Sequence, residues 1–292
     1  MKNLRKPEEI IINGVSLKDL IENHKKWLDN EEIGKQLILE DVDLRYADLE
    51  EADLRYTDLK NVDLENANLK EADLRYANLE NVDLENANLE DTDLENTNLR
   101  YVNLKNVDLE DINLRYANLK NVDLKNANLK DTNLRGADLR YADLRYANLE
   151  GANLTYAVLE NADLKGGNLR YADLENADLR YADLENVDLR YANLENIDLE
   201  NANLKEAEFY LTNLYKVKRK DLFEVGNIGS RNDTTHYFIE DNRIICGCFD
   251  DSLEEFEEEV KDTHDKSSKE YMEYMIAIDT FKRYKEMYSK IK

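Results

Sequence analysis

Leucine recurs at every fifth position from Leu39 to Leu204 without exception, 34 consecutive times, and Phe209 and Leu214 carry the register further. A period of five fits neither the 3.6-residue turn of an α-helix nor the alternation of a flat strand. One long element of either kind would scatter the leucines over all its faces. Burying them together requires the chain to turn once in each pentapeptide. Two residues before each leucine stands a small or β-branched residue, as at Ala47, Ala52, Thr57, Val62 and Ala67. Immediately before it stands Asp or Asn, and between Asp43 and Asn203 only Val158 departs from this. Leucine and small residue therefore point inward and the other three positions outward, with each pentapeptide expected to be one short strand plus a turn.

A longer period sets the number of sides. Val42, Val62, Val82, Val102 and Val122 are spaced by 20, as are Glu51, Glu71, Asp91, Asp111 and Asp131. Four pentapeptides then close one coil, and stacked coils align such sets in columns. Leu44, Leu64, Leu84, Leu104 and Leu124 form one inward column beside Val62 and Val82, and the five carboxylates form an acidic ladder on an outer edge. At roughly 4.8 Å per coil, nine coils give a rod on the order of 43 Å long. Backbone groups should be paired with the coils above and below, which accounts for the absence of Pro from the repeats. A coil of four short sides encloses little volume, so each large inward residue needs smaller ones beside it. Gly166 and Gly167 mark a visible irregularity, with Gly167 at an inward position expected to thin the core locally.

The pentapeptides read ADLRY, ANLKN and ADLEN, an A(D/N)LXX pattern over residues 37–220. In this the chain resembles the pentapeptide repeat family. The resemblance implies a mainly β fold, a right-handed quadrilateral β-helix, with a helical N-terminal cap and a small α+β C-terminal module. The segment HKKWL at residues 24–28 resembles the short cap that often precedes such repeats. IGSRNDTTHYF through CGCFDDSLEEFEEEV is similar to a module attached to other members, to which no activity attaches. The expected division is 1–36, 37–220 and 221–292.

An open solenoid exposes apolar core and strand edges at both ends, so both need covers. At the front, Ser16 can cap a helix whose Leu17, Leu20, Ile21, His24, Trp27 and Leu28 share a face. At the back, THYFI and RIICGCF read as two strands of a hairpin. Ser252 with Glu255 reads as a capping box for a helix burying Leu253, Phe256 and Val260. Ser267 with Glu270 reads as the start of another, with Tyr271, Tyr274, Ile278 and Phe281 on its stripe. Trp27 at the front, and Phe209, Phe249 and Phe256 at the back, are the expected cap residues.

The net charge is -25, and residues 37–220 hold 23 basic and 40 acidic residues. Such a field repels phosphates, which argues against direct nucleic-acid binding and favours a basic protein partner. No segment has the apolar length of a signal peptide or membrane span, so the expected compartment is the cytoplasm and no membrane is involved. Nucleophilic catalysis needs Ser or Cys beside an oriented His, and the rod has no His, Cys or Ser. Cys246 and Cys248, with His236 and His264, contain the residue types of a zinc site, but a C-x-C pair lacks the usual two-residue spacer. The expectation is therefore no catalytic residue, no metal and no cofactor. The eleven corner tyrosines between Tyr46 and Tyr191 are expected to pack across coils on Arg stems rather than to form a stacking platform. A non-enzymatic structural or interaction scaffold is the first functional reading, monomeric because both ends are covered. Its partner is an unidentified protein, basic or DNA-binding. The alternative, implied by the family resemblance, is an acidic DNA mimic that binds DNA gyrase or another DNA-binding protein.

Overall fold

A computed structural model describes residues 4–228, 233–246 and 249–291. Parallel bridges join residues 20 apart, from Ile38 with Asp58 and Asp43 with Asp63 through to Asp198 with Lys218. Twenty residues thus complete one coil, and four leucines mark its four sides. All 34 leucines are at most 4% exposed. Each side is shorter than a strand. Two of every five residues are spent on the turn, and a single bridging residue, the Asp or Asn before the leucine, remains of the expected strand.

The backbone of one repeat shows why that residue is Asp or Asn. Asp63 N–H donates to Val42 O in the coil below (3.0 Å), while Leu64 and Asn66 donate to Asp83 O (2.8 Å) and Glu85 O (2.9 Å) above. Ala67 N–H closes the turn on Leu64 O at 2.9 Å. The Glu65 N–H has no coil to reach and donates instead to Asp63 Oδ1 at 3.1 Å. The same side-chain bond recurs along the rod, as from Lys125 to Asp123 (3.0 Å) and from Glu195 to Asn193 (3.2 Å). The third residue of each turn has a positive φ, the signature of a type II turn; Asn66, Tyr76, Asp91 and Gly166 have φ of 58°, 61°, 56° and 69°. Asn tolerates this region well. Gly166 is therefore an ordinary corner residue. Nor does Gly167 thin the core, because a Cβ there would stand 3.0 Å from Leu164 O and 3.4 Å from Ala147 O.

Val158 offers no oxygen to the Glu160 N–H. Val158→Asn should supply one and raise stability by about 0.5–1.5 kcal/mol. An unchanged or lower urea midpoint would show that the side-chain bond contributes nothing.

The ladder fails in one place. Between residues 82–101 and 102–121, hydrogen bonds persist on the Leu94 and Leu99 sides. The N–H groups of Leu84, Asn86, Leu89 and Asp91 make no close one to the coil above, and of the bridges on these two sides Asp83 with Asn103 is kept while Asn88 with Asp108 is lost. Full pairing of the coils, expected from the repeat, is interrupted there.

The front is covered by more than a helix. Asn13 and Gly14, both at positive φ, turn a hairpin between β1 (Ile11–Ile12) and β2 (Val15–Ser16). Ser16 then caps α1 (Leu17–Leu28), accepting from Asp19 N–H at 3.1 Å. The outward-facing carbonyls of the first coil receive donors from this segment. Arg5 N–H reaches Tyr46 O (2.6 Å), Gln36 Nε2 reaches Tyr56 O (2.7 Å) and His24 Nε2 reaches Arg55 O (2.8 Å). His24 is fully buried, whereas Trp27 is 36% exposed. Placing Trp27 inside the packed face is thus corrected: it stacks on His24 at the rim, 5.5 Å between centroids, because His24 occupies the centre and uses both ring nitrogens there.

At the back, β3 (Leu222–Ile228), β4 (Asp233–Phe238), β5 (Arg243–Cys246) and β6 (Phe249–Ser252) form an antiparallel sheet in that order. The expected hairpin is its middle pair. Helices α2 (Leu253–Thr263) and α3 (Lys269–Ile291) follow. Ser252 caps α2, but Ser268 rather than Ser267 caps α3, accepting from Tyr271 N–H at 3.1 Å, while Ser267 turns to Asp265. Strand alternation splits the sheet's apolar residues. Phe238 and Ile245 join the core of the rod, while Tyr237 and Ile244 face α2 and α3. Phe209 stacks on Phe238 at 5.9 Å, and its N–H donates to Asp250 at 3.0 Å. Phe256 is buried among the helices, 4.9 Å from Phe249, so it holds the module together and does not touch the coil.

Candidate functional site: the outer columns of the rod

Outward positions are where a rod of this kind can act, and their chemistry is set by two stacking rules. First, Asn and Asp in one column form directional ladders: Asn168 donates its amide to Asn148 (2.9 Å), Asn148 to Asn128 (3.0 Å) and Asn128 to Asp108 (2.9 Å), where the acceptor-only carboxylate ends the run. Second, each Asp-Leu-Arg tripeptide closes a forked ion pair. Arg45 donates Nε and Nη2 to Asp43 at 3.1 and 2.8 Å and lies 3.3 Å from Asp63 in the next coil. Arg55 and Arg75 repeat the arrangement with Asp53 and Asp73. Hydrogen bonding from Arg45 holds Asp43 at about 2. Many of the rod's arginines are therefore already committed to carboxylates of their own coils.

The exposed carboxylates of Glu51, Glu71, Asp91, Asp111 and Asp131 occupy one corner in five successive coils. Lys70 lies 3.9 Å from Glu71 and Lys130 3.2 Å from Asp131, but Glu51, Asp91 and Asp111 pair with no cation among the described residues. Above them the same corner turns aromatic. Gly151 is followed by Tyr171 and Tyr191, stacked at 4.9 Å, then by Leu211, which is 49% exposed at a φ of 52°. On the next corner Tyr56 and Tyr76 stack at 4.8 Å. Other tyrosines meet cations: Arg135 lies over Tyr156 from the coil below, and Arg100 and Arg115 over the tyrosines that follow them. Cation packing is thus partly across coils and partly within one turn.

The leucines proposed as core, Leu44, Leu64, Leu84, Leu104 and Leu124, are at most 1% exposed, and Val62 and Val82 at most 2%. A cleft of about 400 Å³ lies where the last coil meets the sheet, with Leu211, Tyr215, Glu224, His236 and Ile245 in its walls. His236 stands 3.2 Å from Glu224, and burial lowers its pKa to about 4. Thr235 donates to the Cys246 sulfur at 3.1 Å, and Cys248 lies outside the described residues. His264 packs against Tyr274 instead of approaching His236. Among the described residues no three His, Cys, Asp or Glu side chains converge to hold a metal, and no helix is long and apolar enough to cross a membrane.

Pentapeptide repeats match in eight copies, over residues 38–75, 47–86, 77–115, 117–155, 142–181, 157–196 and 182–218. The chain belongs to the pentapeptide repeat family. Among solved members of this family, HetL, involved in heterocyst differentiation regulation in the cyanobacterium Nostoc sp. strain PCC 7120, is 31% identical. That match covers 68% of this pentapeptide repeat protein and 95% of HetL, with a TM-score of 0.28. A pentapeptide repeat protein of the Arabidopsis thaliana thylakoid lumen is 35% identical over 34% of this chain and 68% of its own, with a TM-score of 0.33. QnrB1, a plasmid-mediated fluoroquinolone resistance protein, is 19% identical over 64% and 91%, with a TM-score of 0.35. No curated protein sequence matches the chain.

His24 gives a pH prediction for the front cap. Leu37 N–H donates to its Nδ1 at 3.0 Å, so the ring must be neutral, and burial lowers its pKa below 6.5. A lowered folded value means that this contribution is complete above pH 6.5 and is lost as pH falls through the folded value. Emission from Trp27, the one tryptophan, should shift with a midpoint below 6.5. A midpoint at or above that value would show that His24 is not held neutral.

Proposed function

We propose that this chain is a non-enzymatic protein-interaction scaffold, a right-handed four-sided β-helix whose acidic corner engages a basic surface of a partner protein. The observation that carries this is the column of exposed carboxylates from Glu51 to Asp131, three of them without an ion pair. Carboxylates repeated at about the spacing of stacked coils, roughly 4.8 Å, create a continuous negative stripe that steers a basic protein toward it and repels nucleic acid. Residues 1–36 and 221–292 serve as the covers of the rod at 37–220, which favours a monomer in dilute solution, and the compartment we assign is the cytoplasm. Capture from a bacterial lysate tests the reading. Wild type should retain basic proteins that Glu71→Lys/Asp91→Lys/Asp111→Lys releases, and equal capture by both would sink it.

The same column supports a second reading, an acidic mimic of duplex DNA that occupies DNA gyrase or another DNA-binding protein. A gyrase supercoiling assay separates the two: inhibition or protection that disappears in the triple variant favours mimicry.

A further inference from the structure

We propose that the rod carries a built-in hinge between the coil of residues 82–101 and the coil of residues 102–121. The N–H groups of Leu84, Asn86, Leu89 and Asp91 make no close hydrogen bond to the coil above, and on the Leu89 side the Asn88 to Asp108 bridge is missing from an otherwise continuous series, whereas the Asp83 to Asn103 bridge on the neighbouring side is kept. The Leu94 and Leu99 sides stay closely joined, by Leu94 N–H to Asn113 O (3.0 Å), Asn96 to Arg115 (2.8 Å) and Leu99 to Asn118 (2.8 Å). The coils are thus fastened along the Leu94 and Leu99 sides, joined more weakly through the Asp83 to Asn103 bridge, and open on the Leu89 side.

Three features of the sequence meet at the opening. The inward small positions of the upper coil are Val102, Val107, Ile112 and Ala117, the one coil in the rod with bulky branched residues on three consecutive sides. Val107 stands in a column where its neighbours 20 residues away are Ala87 and Ala127. Extra methyl groups in a close-packed core push the backbone apart. Second, the Asp108 side chain is a carboxylate with no donor for the Asn88 side chain, so the side-chain ladder that runs from Asn168 down to Asp108 stops there. Third, Glu90 and Asp91 face Glu110 and Asp111 across the opening. Lys70 holds Glu90 from below at 2.8 Å and Lys130 holds Glu110 from above at 2.9 Å, so neither cation lies between the acids. Bulk, a missing donor and like charge act in the same direction, and the opening divides the acidic column between Asp91 and Asp111.

Amide hydrogen exchange on the full chain tests this. Leu84, Asn86, Leu89 and Asp91 should exchange at least about tenfold faster than Leu104, Asn106, Leu109 and Asp111, the equivalent positions one coil on. Val107→Ala and, separately, Glu110→Gln should each slow the first set and leave the second unchanged. Both are mild substitutions, and the protection of the second set reports whether the variant is folded. Equal exchange of the two sets in the wild type, or a fast first set that neither substitution slows, would overturn the hinge.

Discussion

Leu124→Asp is expected to lower the stability of the rod by at least about 3–5 kcal/mol, the range for an uncompensated buried charge. Leu124 is fully buried in the middle of its column, between Leu104 and Leu144. Whether the new carboxyl ionises or stays protonated, it finds apolar atoms where it needs donors, and the leucine's packing is lost as well. Because each coil is held only by its neighbours, damage in the middle weakens the two halves' mutual support. Outward Glu110→Ala removes an exposed carboxylate that accepts from Lys130 at 2.9 Å, a solvent-screened surface contact whose loss should leave the urea midpoint nearly unchanged. Equal urea midpoints for the two variants would contradict the inward and outward assignment.

Ending the chain before Asp221 is expected to drive assembly into dimers or short filaments that the full chain does not form. The deletion removes Phe238 and Ile245 from the end of the core, the Asp250 carboxylate from the Phe209 N–H, and Arg243, which lies 5.0 Å over the Phe209 ring. An apolar face and an unpaired strand edge are left in water, and both are relieved by the end of another rod. Light scattering distinguishes the outcomes. A truncated chain that stays cleanly monomeric, or a full-length chain already assembled end to end, would show that residues 221–292 are not a cover.

Much of the architecture was legible because the repeat is strict. Leucine every five residues gave the inward column, and valines every twenty gave the four sides that the bridges display. The legible part of the site was the acidic column, since spacing alone aligns Glu51 with Asp131. The side-chain bond that requires Asp or Asn before each leucine was not legible, because it depends on which N–H groups the coil leaves without a partner. The corner's positive φ was foreshadowed by its many Asn residues but obscured by tyrosine, which shares the position.

At the ends the signals were weaker. Asn13-Gly14 between Ile11–Ile12 and Val15–Ser16 is a tight-turn signal that could have revealed the front hairpin. Strand β3 was not legible, because Gly226 and Asn227 interrupt its run of strand-forming residues. Phe256 was assigned to the wrong partner because a buried helix residue carries no mark of which surface it meets. The hinge needed comparison across coils: Val107 is unremarkable in its own pentapeptide and becomes oversized only against Ala87 and Ala127.

On the proposed function, the ordering of carboxylates along one corner, rather than the overall charge, recruits a partner. A charge-balanced variant tests it most directly: Glu71→Lys and Asp111→Lys combined with Lys105→Glu and Lys125→Glu, which keeps the net charge at -25. Captured side by side from a bacterial lysate, wild type should retain basic proteins that this variant loses. Retention of the same proteins in the same amounts by both would contradict the account.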